Sequence, residues 1–208
     1  MIELIKEKRL IPVITISDSN KAAGLANALE EAGLPIAEIT LRTPESINAI
    51  REFSKNSKCL VGVGSVKNVE ELIAAVEVGA KFAVSAGFSS SVAKVAIELG
   101  IPYFPGVATP TEILQALDFN LKTLKFFPAE TLGGTAAIRA ISAPFPDISF
   151  IPTGGITLEN AKAYLEIKSV VAIGGSWLVN PELINRGDFL SIFRLTKVAL
   201  EELNNGNS

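Results

Sequence analysis

Eight short apolar runs, rich in β-branched residues, recur along the chain roughly every two dozen residues. They occupy positions 10–16, 35–41, 59–63, 82–85, 102–105, 121–127, 148–152 and 170–173. Runs of this length, bounded by glycine, proline and polar residues, read as buried strands. Amphipathic stretches lie between them. Residues 21–32 carry Leu25, Ala28, Leu29 and Ala32 at helical spacing and stop at Gly33. Residues 69–78 stop at Gly79 and residues 92–99 at Gly100 in the same way. Ser19, Asn68 and Ser89 stand where helix N-caps belong. A strand–helix unit repeated eight times predicts a closed (β/α)8 barrel, with a short helix before the first strand. A barrel of this kind takes roughly 200–250 residues, so positions 1–208 read as one domain. The competing fold is an open, doubly wound sheet with a nucleotide site. It wants a Gly-x-Gly-x-x-Gly turn after an early strand. The first run ends Thr-Ile-Ser-Asp-Ser-Asn, without glycine, and Gly62-Val-Gly64 lacks the third glycine.

Composition narrows the chemistry. The chain has no histidine, which removes Ser-His-Asp and Cys-His nucleophiles and the usual nitrogen ligands of catalytic zinc. Cys59 is the single cysteine, so no intramolecular disulfide can form. It opens the third strand and reads as a core residue. A net charge of −3 offers no basic footprint for nucleic acid. No apolar run approaches the roughly 18 residues of a membrane span. The charged start, Met-Ile-Glu-Leu-Ile-Lys-Glu-Lys-Arg, is unlike a signal peptide, and a cytoplasmic protein is expected. The final segment, 201–208, is expected to fray for want of apolar residues to pack.

Acid–base work must therefore fall to carboxylates, lysines, tyrosines and hydroxyls. Strand parity finds candidates. In the sixth run, Thr123, Lys125 and Phe127 share the inward face, while Leu124 and Phe126 face the helices. Lys125 is near the C-terminal end of its strand, where barrels place their sites. Desolvation there disfavours the ammonium form, and imine formation needs the neutral amine. A structural pairing with a buried carboxylate is the competing reading. In the second run, Glu38, Thr40 and Arg42 share a face. Glu38 could shuttle protons and Arg42 could clamp a carboxylate, or the two could simply pair with each other. Two glycine turns, Pro152-Thr-Gly-Gly-Ile156 and Gly174-Gly-Ser-Trp177, follow the seventh and eighth runs. Barrels commonly bind phosphate there, through backbone N–H groups. Ser65, after Gly62-Val-Gly64, could contact a substrate or cap a helix. Ser85-Ala-Gly87 reads as a turn, and Trp177 as a packing residue.

Glu38-Ile-Thr-Leu-Arg-Thr43, Lys125-Phe-Phe-Pro-Ala-Glu130, Pro152-Thr-Gly-Gly155 and Gly174-Gly-Ser-Trp-Leu178 together resemble the 2-keto-3-deoxy-6-phosphogluconate (KDPG) and 4-hydroxy-2-oxoglutarate aldolases. The resemblance runs from about Leu10 to about Thr196. It implies a class I aldolase in which Lys125 forms an imine with the substrate ketone and Glu38 moves protons. Arg42 and Ser65 would hold the pyruvate carboxylate; Phe127, from its place on the inward strand face and not from the resemblance, is expected to wall the lysine pocket as a core residue. Thr153 would contact substrate, and Gly154, Gly155, Gly175 and Ser176 would bind phosphate. It also implies a homotrimer with no metal and no organic cofactor. Ser65 stands where the family commonly has threonine, and Ala86 where it has proline. The 6-phosphogalactonate aldolase, or a phosphosugar-binding barrel without catalysis, are the alternatives.

Overall fold

Every paired strand of the protein runs parallel to its neighbour. The computed structural model describes residues 1–204. The strands are β1 (Leu10–Ile14), β2 (Ile36–Thr40), β3 (Leu60–Gly64), β4 (Ala83–Val84), β5 (Tyr103–Phe104), β6 (Gly106–Val107), β7 (Thr123–Phe126), β8 (Ser149–Pro152) and β9 (Ile173–Gly175). The expected N-terminal helix is present as α1 (Ile2–Lys8). Between the strands lie α2 (Ala22–Glu31), α3 (Ser46–Asn56), α4 (Val69–Glu77), α5 (Ser90–Glu98), α6 (Pro110–Asp118), α7 (Gly134–Ser142) and α8 (Leu158–Leu165). The chain then forms α9 (Pro181–Arg186) and α10 (Phe189–Asn204).

The eight expected strands become nine, in two sheets. One has the order β5-β4-β3-β2-β1-β9 and the other β6-β7-β8. Pro105 divides the fifth run, because proline has no N–H to continue a ladder. Its carbonyl still accepts from the N–H of Lys125 at 2.9 Å. Tyr103 and Phe104 pair with β4, whereas Gly106 and Val107 pair with β7. At the other seam β8 meets the β9 segment only through isolated bridges, Phe150 to Val170 and Thr153 to Gly174. The eighth run thus yields one bridge at Val170, and its strand begins only at Ile173.

Local sequence explains most helix ends. The Asn68 side chain accepts from the N–H of Glu71 at 2.9 Å and starts α4. Ser89 does the same for Val92 at 3.4 Å before α5. Gly33 and Gly79 follow α2 and α4 with φ of 90° and 115°, a region that favours glycine. The first expected cap is corrected. Asp18, not Ser19, caps the short 3-10 turn Ser19–Lys21 that precedes α2. The Ser19 hydroxyl instead donates to Glu45 across to α3, at 2.7 Å. The C-terminal expectation also changes. Residues 201–204 continue α10, and Leu203 is buried against the core. Positions 205–208 of that segment lie outside the described residues. Among the described residues no helix is long and apolar enough to cross a membrane.

Side chains of both strand faces are buried. Leu10, Ile14, Ile36, Ile39 and Val63 are fully covered, each contributing about 1.5–3 kcal/mol of apolar burial. Cys59 belongs to this core. Its thiol donates to the Ala26 carbonyl at 3.5 Å. Burial pushes that thiol up to about 11, against a smaller lowering by Ser57. The thiolate is the reactive form. Iodoacetamide at about pH 8 is therefore expected to leave Cys59 unmodified in the native protein and to alkylate it after unfolding, as read by intact mass. Rapid native alkylation would contradict this placement.

Candidate active site

Lys125 and Glu38 meet inside the protein, as strand parity required. Lys125 Nζ is 3.3 Å from Glu38 Oε1, and the residues are only 5% and 3% exposed. Their alternation with Leu124, Phe126, Ala37 and Ile39, all buried on the opposite strand faces, is what aims both charges inward. Register fixes the rest. Lys125 lies opposite Gly106 on β6 and Ile151 on β8, and Glu38 lies opposite Val13 on β1 and Gly62 on β3. The Lys125 ammonium is 5.3 Å from the Phe127 ring centroid, within cation–π range.

A glycine makes room for this pair. A Cβ on Gly64 would lie 2.1 Å from Glu38 Oε1 and 2.6 Å from Glu38 Cγ. Gly62, two residues earlier on the same face, likewise yields to the Phe82 ring. The Gly62-Val-Gly64 pattern, unsuited to a nucleotide turn, is therefore the space into which Glu38 of β2 and Phe82, just before β4, project. Ser65 comes next, with φ of 60°.

Beside the pair opens a cavity of about 380 Å³. Arg42, Phe127, Thr153, Gly154, Gly155 and Ser176 of the expected residues line it, together with Val13, Thr15, Ile156 and Gly174. Arg42 departs from its expected setting. β2 ends at Thr40, so Arg42 sits in the following turn and is exposed. It makes no ion pair among the described residues, and Glu38 pairs with Lys125 instead. Ser65 and Gly175 stand outside the lining, and so do Glu38 and Lys125, which reach the cavity's edge only through Phe127, whose ring is 5.3 Å from the Lys125 ammonium. Gly175 is covered by the Trp177 ring, which a Cβ there would meet at 1.8 Å. Trp177 therefore packs, and its indole N–H is buried with no partner among the described residues.

The glycine turn after β8 is held from behind. Gly154 and Gly155 have φ of 99° and 79°. A Cβ on Gly155 would meet Glu130 Cβ at 2.6 Å. Asn160 in α8 donates to the Gly155 carbonyl at 3.1 Å and accepts from the N–H of Thr157 at 2.9 Å. The N–H groups of Gly155 and Ile156 donate to no described residue. Donors left free at the start of a helix suit an anion. Glu130 is itself fixed by the phenol of Tyr164, whose ionisation is pushed up by burial and then by that carboxylate. Sequence reasoning missed Glu130, Thr15 and the space at Gly64. Thr15 stands two residues past Val13 on the same strand face, a parity signal that could have found it.

No group of three or more His, Cys, Asp or Glu side chains among the described residues could hold a metal ion. A buried lysine held against a carboxylate, beside a cavity lined by glycines and Arg42, suits a lyase of the imine-forming aldolase class. The chain belongs to the KDPG and KHG aldolase family, whose model matches residues 1–195. It is 42% identical over 193 residues to the KHG/KDPG aldolase of Escherichia coli strain K12, covering 92% of this chain and 91% of that one. The 2-dehydro-3-deoxy-phosphogluconate aldolase of Pseudomonas aeruginosa is 40% identical over 199 residues, with 95% and 90% covered. The KDPG aldolase of Legionella pneumophila, solved with pyruvate captured as a covalent carbinolamine intermediate, superposes with a TM-score of 0.91. It is 35% identical, with 95% of this chain and 97% of that chain covered.

Gly64 supplies a test of the geometry. Gly64→Ala is expected to displace the Glu38 carboxylate and to lower turnover about a hundredfold, the scale of an ångström's misplacement. Circular dichroism should report a folded protein. Unaltered turnover would mean that Glu38 can move without consequence.

Proposed function

We propose that this protein is a class I aldolase that cleaves KDPG to pyruvate and D-glyceraldehyde 3-phosphate. The Lys125–Glu38 contact carries this reading. Relatives named for the phosphogluconate substrate favour that epimer over the galactonate one. The paired lysine and carboxylate argue against a sugar-binding barrel without catalysis. Cleavage of 4-hydroxy-2-oxoglutarate to pyruvate and glyoxylate is the second activity, suggested by the two-substrate name of the E. coli relative.

In this mechanism the Lys125 amine adds to the C2 ketone, and Glu38 helps to expel water from the carbinolamine. The iminium then accepts electrons. Glu38 takes the C4 hydroxyl proton, the C3–C4 bond breaks, and the aldehyde leaves. Protonation of the remaining enamine and hydrolysis of the iminium release pyruvate and restore the lysine. Arg42, aided by Ser65, binds the carboxylate through parallel hydrogen bonds. Phe127 walls the lysine pocket and Thr153 contacts the substrate. Gly154, Gly155, Gly175 and Ser176 take the phosphate, supplying remote binding energy that orients the reacting carbons. Arg42, Phe127, Thr153, Gly154, Gly155 and Ser176 are supported by the cavity they share, by Arg42 making no ion pair among the described residues, and by the N–H groups of Gly155 and Ile156 donating to no described residue, whereas Ser65 and Gly175 rest on the family resemblance alone.

The same reading treats the two sheets as arcs of one (β/α)8 barrel. Pro105 joins them at one seam, and the Phe150 and Thr153 bridges join them at the other. It also carries a homotrimer in the cytoplasm. Sedimentation is expected to give three times the chain mass of 22.0 kDa, and a monomer would remove the trimer.

Borohydride tests the chemistry. With pyruvate present it is expected to leave one stable adduct, located on Lys125 by peptide mass mapping. An adduct on another lysine, or none, would overturn the assignment.

A further inference from the structure

Thr15 follows the end of β1 and lines the cavity with Val13. Its hydroxyl oxygen is 3.1 Å from that of Thr40. Thr40 is fully buried, and its hydroxyl is 2.8 Å from the carbonyl oxygen of Ile14. A hydroxyl has one proton to give, and a carbonyl has none. Thr40 therefore spends its proton on Ile14, and the Thr15 hydroxyl must donate to Thr40. Thr15 is left facing the cavity as an acceptor only.

We infer that Thr15 is a substrate-binding residue that selects for a hydroxyl on the aldehyde half of the substrate. The inference rests on the aldolase reading above. A carboxylate offers no proton, and neither does a ketone. An ionised phosphate chiefly accepts. The hydroxyls of the chain remain, and the proton of the C4 hydroxyl goes to Glu38 during cleavage. The C5 hydroxyl is therefore the donor that Thr15 takes. In the reverse direction this is the 2-hydroxyl of glyceraldehyde 3-phosphate. An acceptor-only group rejects a substrate lacking the donor, because its lone pair then loses water without replacement.

The experiment compares two aldehydes in the addition of pyruvate, glyceraldehyde 3-phosphate and its analogue lacking the 2-hydroxyl. The native enzyme is expected to prefer the hydroxylated aldehyde in kcat/KM by about tenfold. Thr15→Val, which keeps the shape and loses the oxygen, should abolish that preference. Thr15→Ser should retain it, and Thr15→Ala makes the same comparison should the valine variant not fold. Trapping of pyruvate by borohydride should be equal in all of them, since pyruvate has no hydroxyl. A preference that survives in Thr15→Val, or is missing from the native enzyme, would overturn the inference. So would an equal loss of pyruvate trapping, which would mark Thr15 as structural. Failure of the native enzyme to trap pyruvate at all would instead refute the aldolase reading.

Discussion

Two opposite charges held 3.3 Å apart in an apolar interior set the terms for the rest of this protein. Removing both from water is expensive, and their attraction repays that cost only in part. A pair of apolar side chains of equal volume would serve the fold as well. Removing one partner would leave the other charge stranded, at about 3–5 kcal/mol. The surroundings of the pair are therefore shaped around keeping it intact. Gly64 vacates the space that the Glu38 carboxylate fills, and Phe127 places an aromatic face near the ammonium.

The glycine turn that lines the cavity follows a different rule. There the side chains withdraw and the backbone faces the cavity. Glycine at 154 and 155 adopts conformations closed to most residues, with the Glu130 stem packed where a side chain would stand. Asn160 and Tyr164 fix the turn through its carbonyl and through Glu130, and neither residue lines the cavity. The Lys125–Glu38 contact thus rests on two charged groups, and the glycine turn on a backbone held by a scaffold.

Much of this was legible in the sequence, because the strand period is local. Alternation in the second and sixth runs put Glu38 and Lys125 on inward faces without any tertiary information. What escaped was tertiary. The collision that a Cβ on Gly64 would cause lies between two strands distant in sequence. The hydroxyl chain from Thr15 through Thr40 to Ile14 likewise spans β1 and β2. Parity extended too far at Arg42, since the strand had already ended. Ser19 had a cap's chemistry, but a better acceptor one residue earlier and a partner in Glu45 drew it elsewhere. Leu203 was discounted among polar neighbours, yet one leucine on the inner side of a helix is enough to pack.

The division of the strands into sets of six and three has a mechanical meaning. Lys125 belongs to β7, in the smaller sheet, and Glu38 to β2, in the larger one. Their contact is a cross-tie between two bodies that are otherwise stitched along thin seams. Sliding one sheet past the other would stretch this tie before it disturbed any ladder within either sheet. The gap between amine and carboxylate therefore acts as a gauge of how the two sheets are seated. Changes at Pro105 or at the Phe150 bridge would be read out at the Lys125 nitrogen.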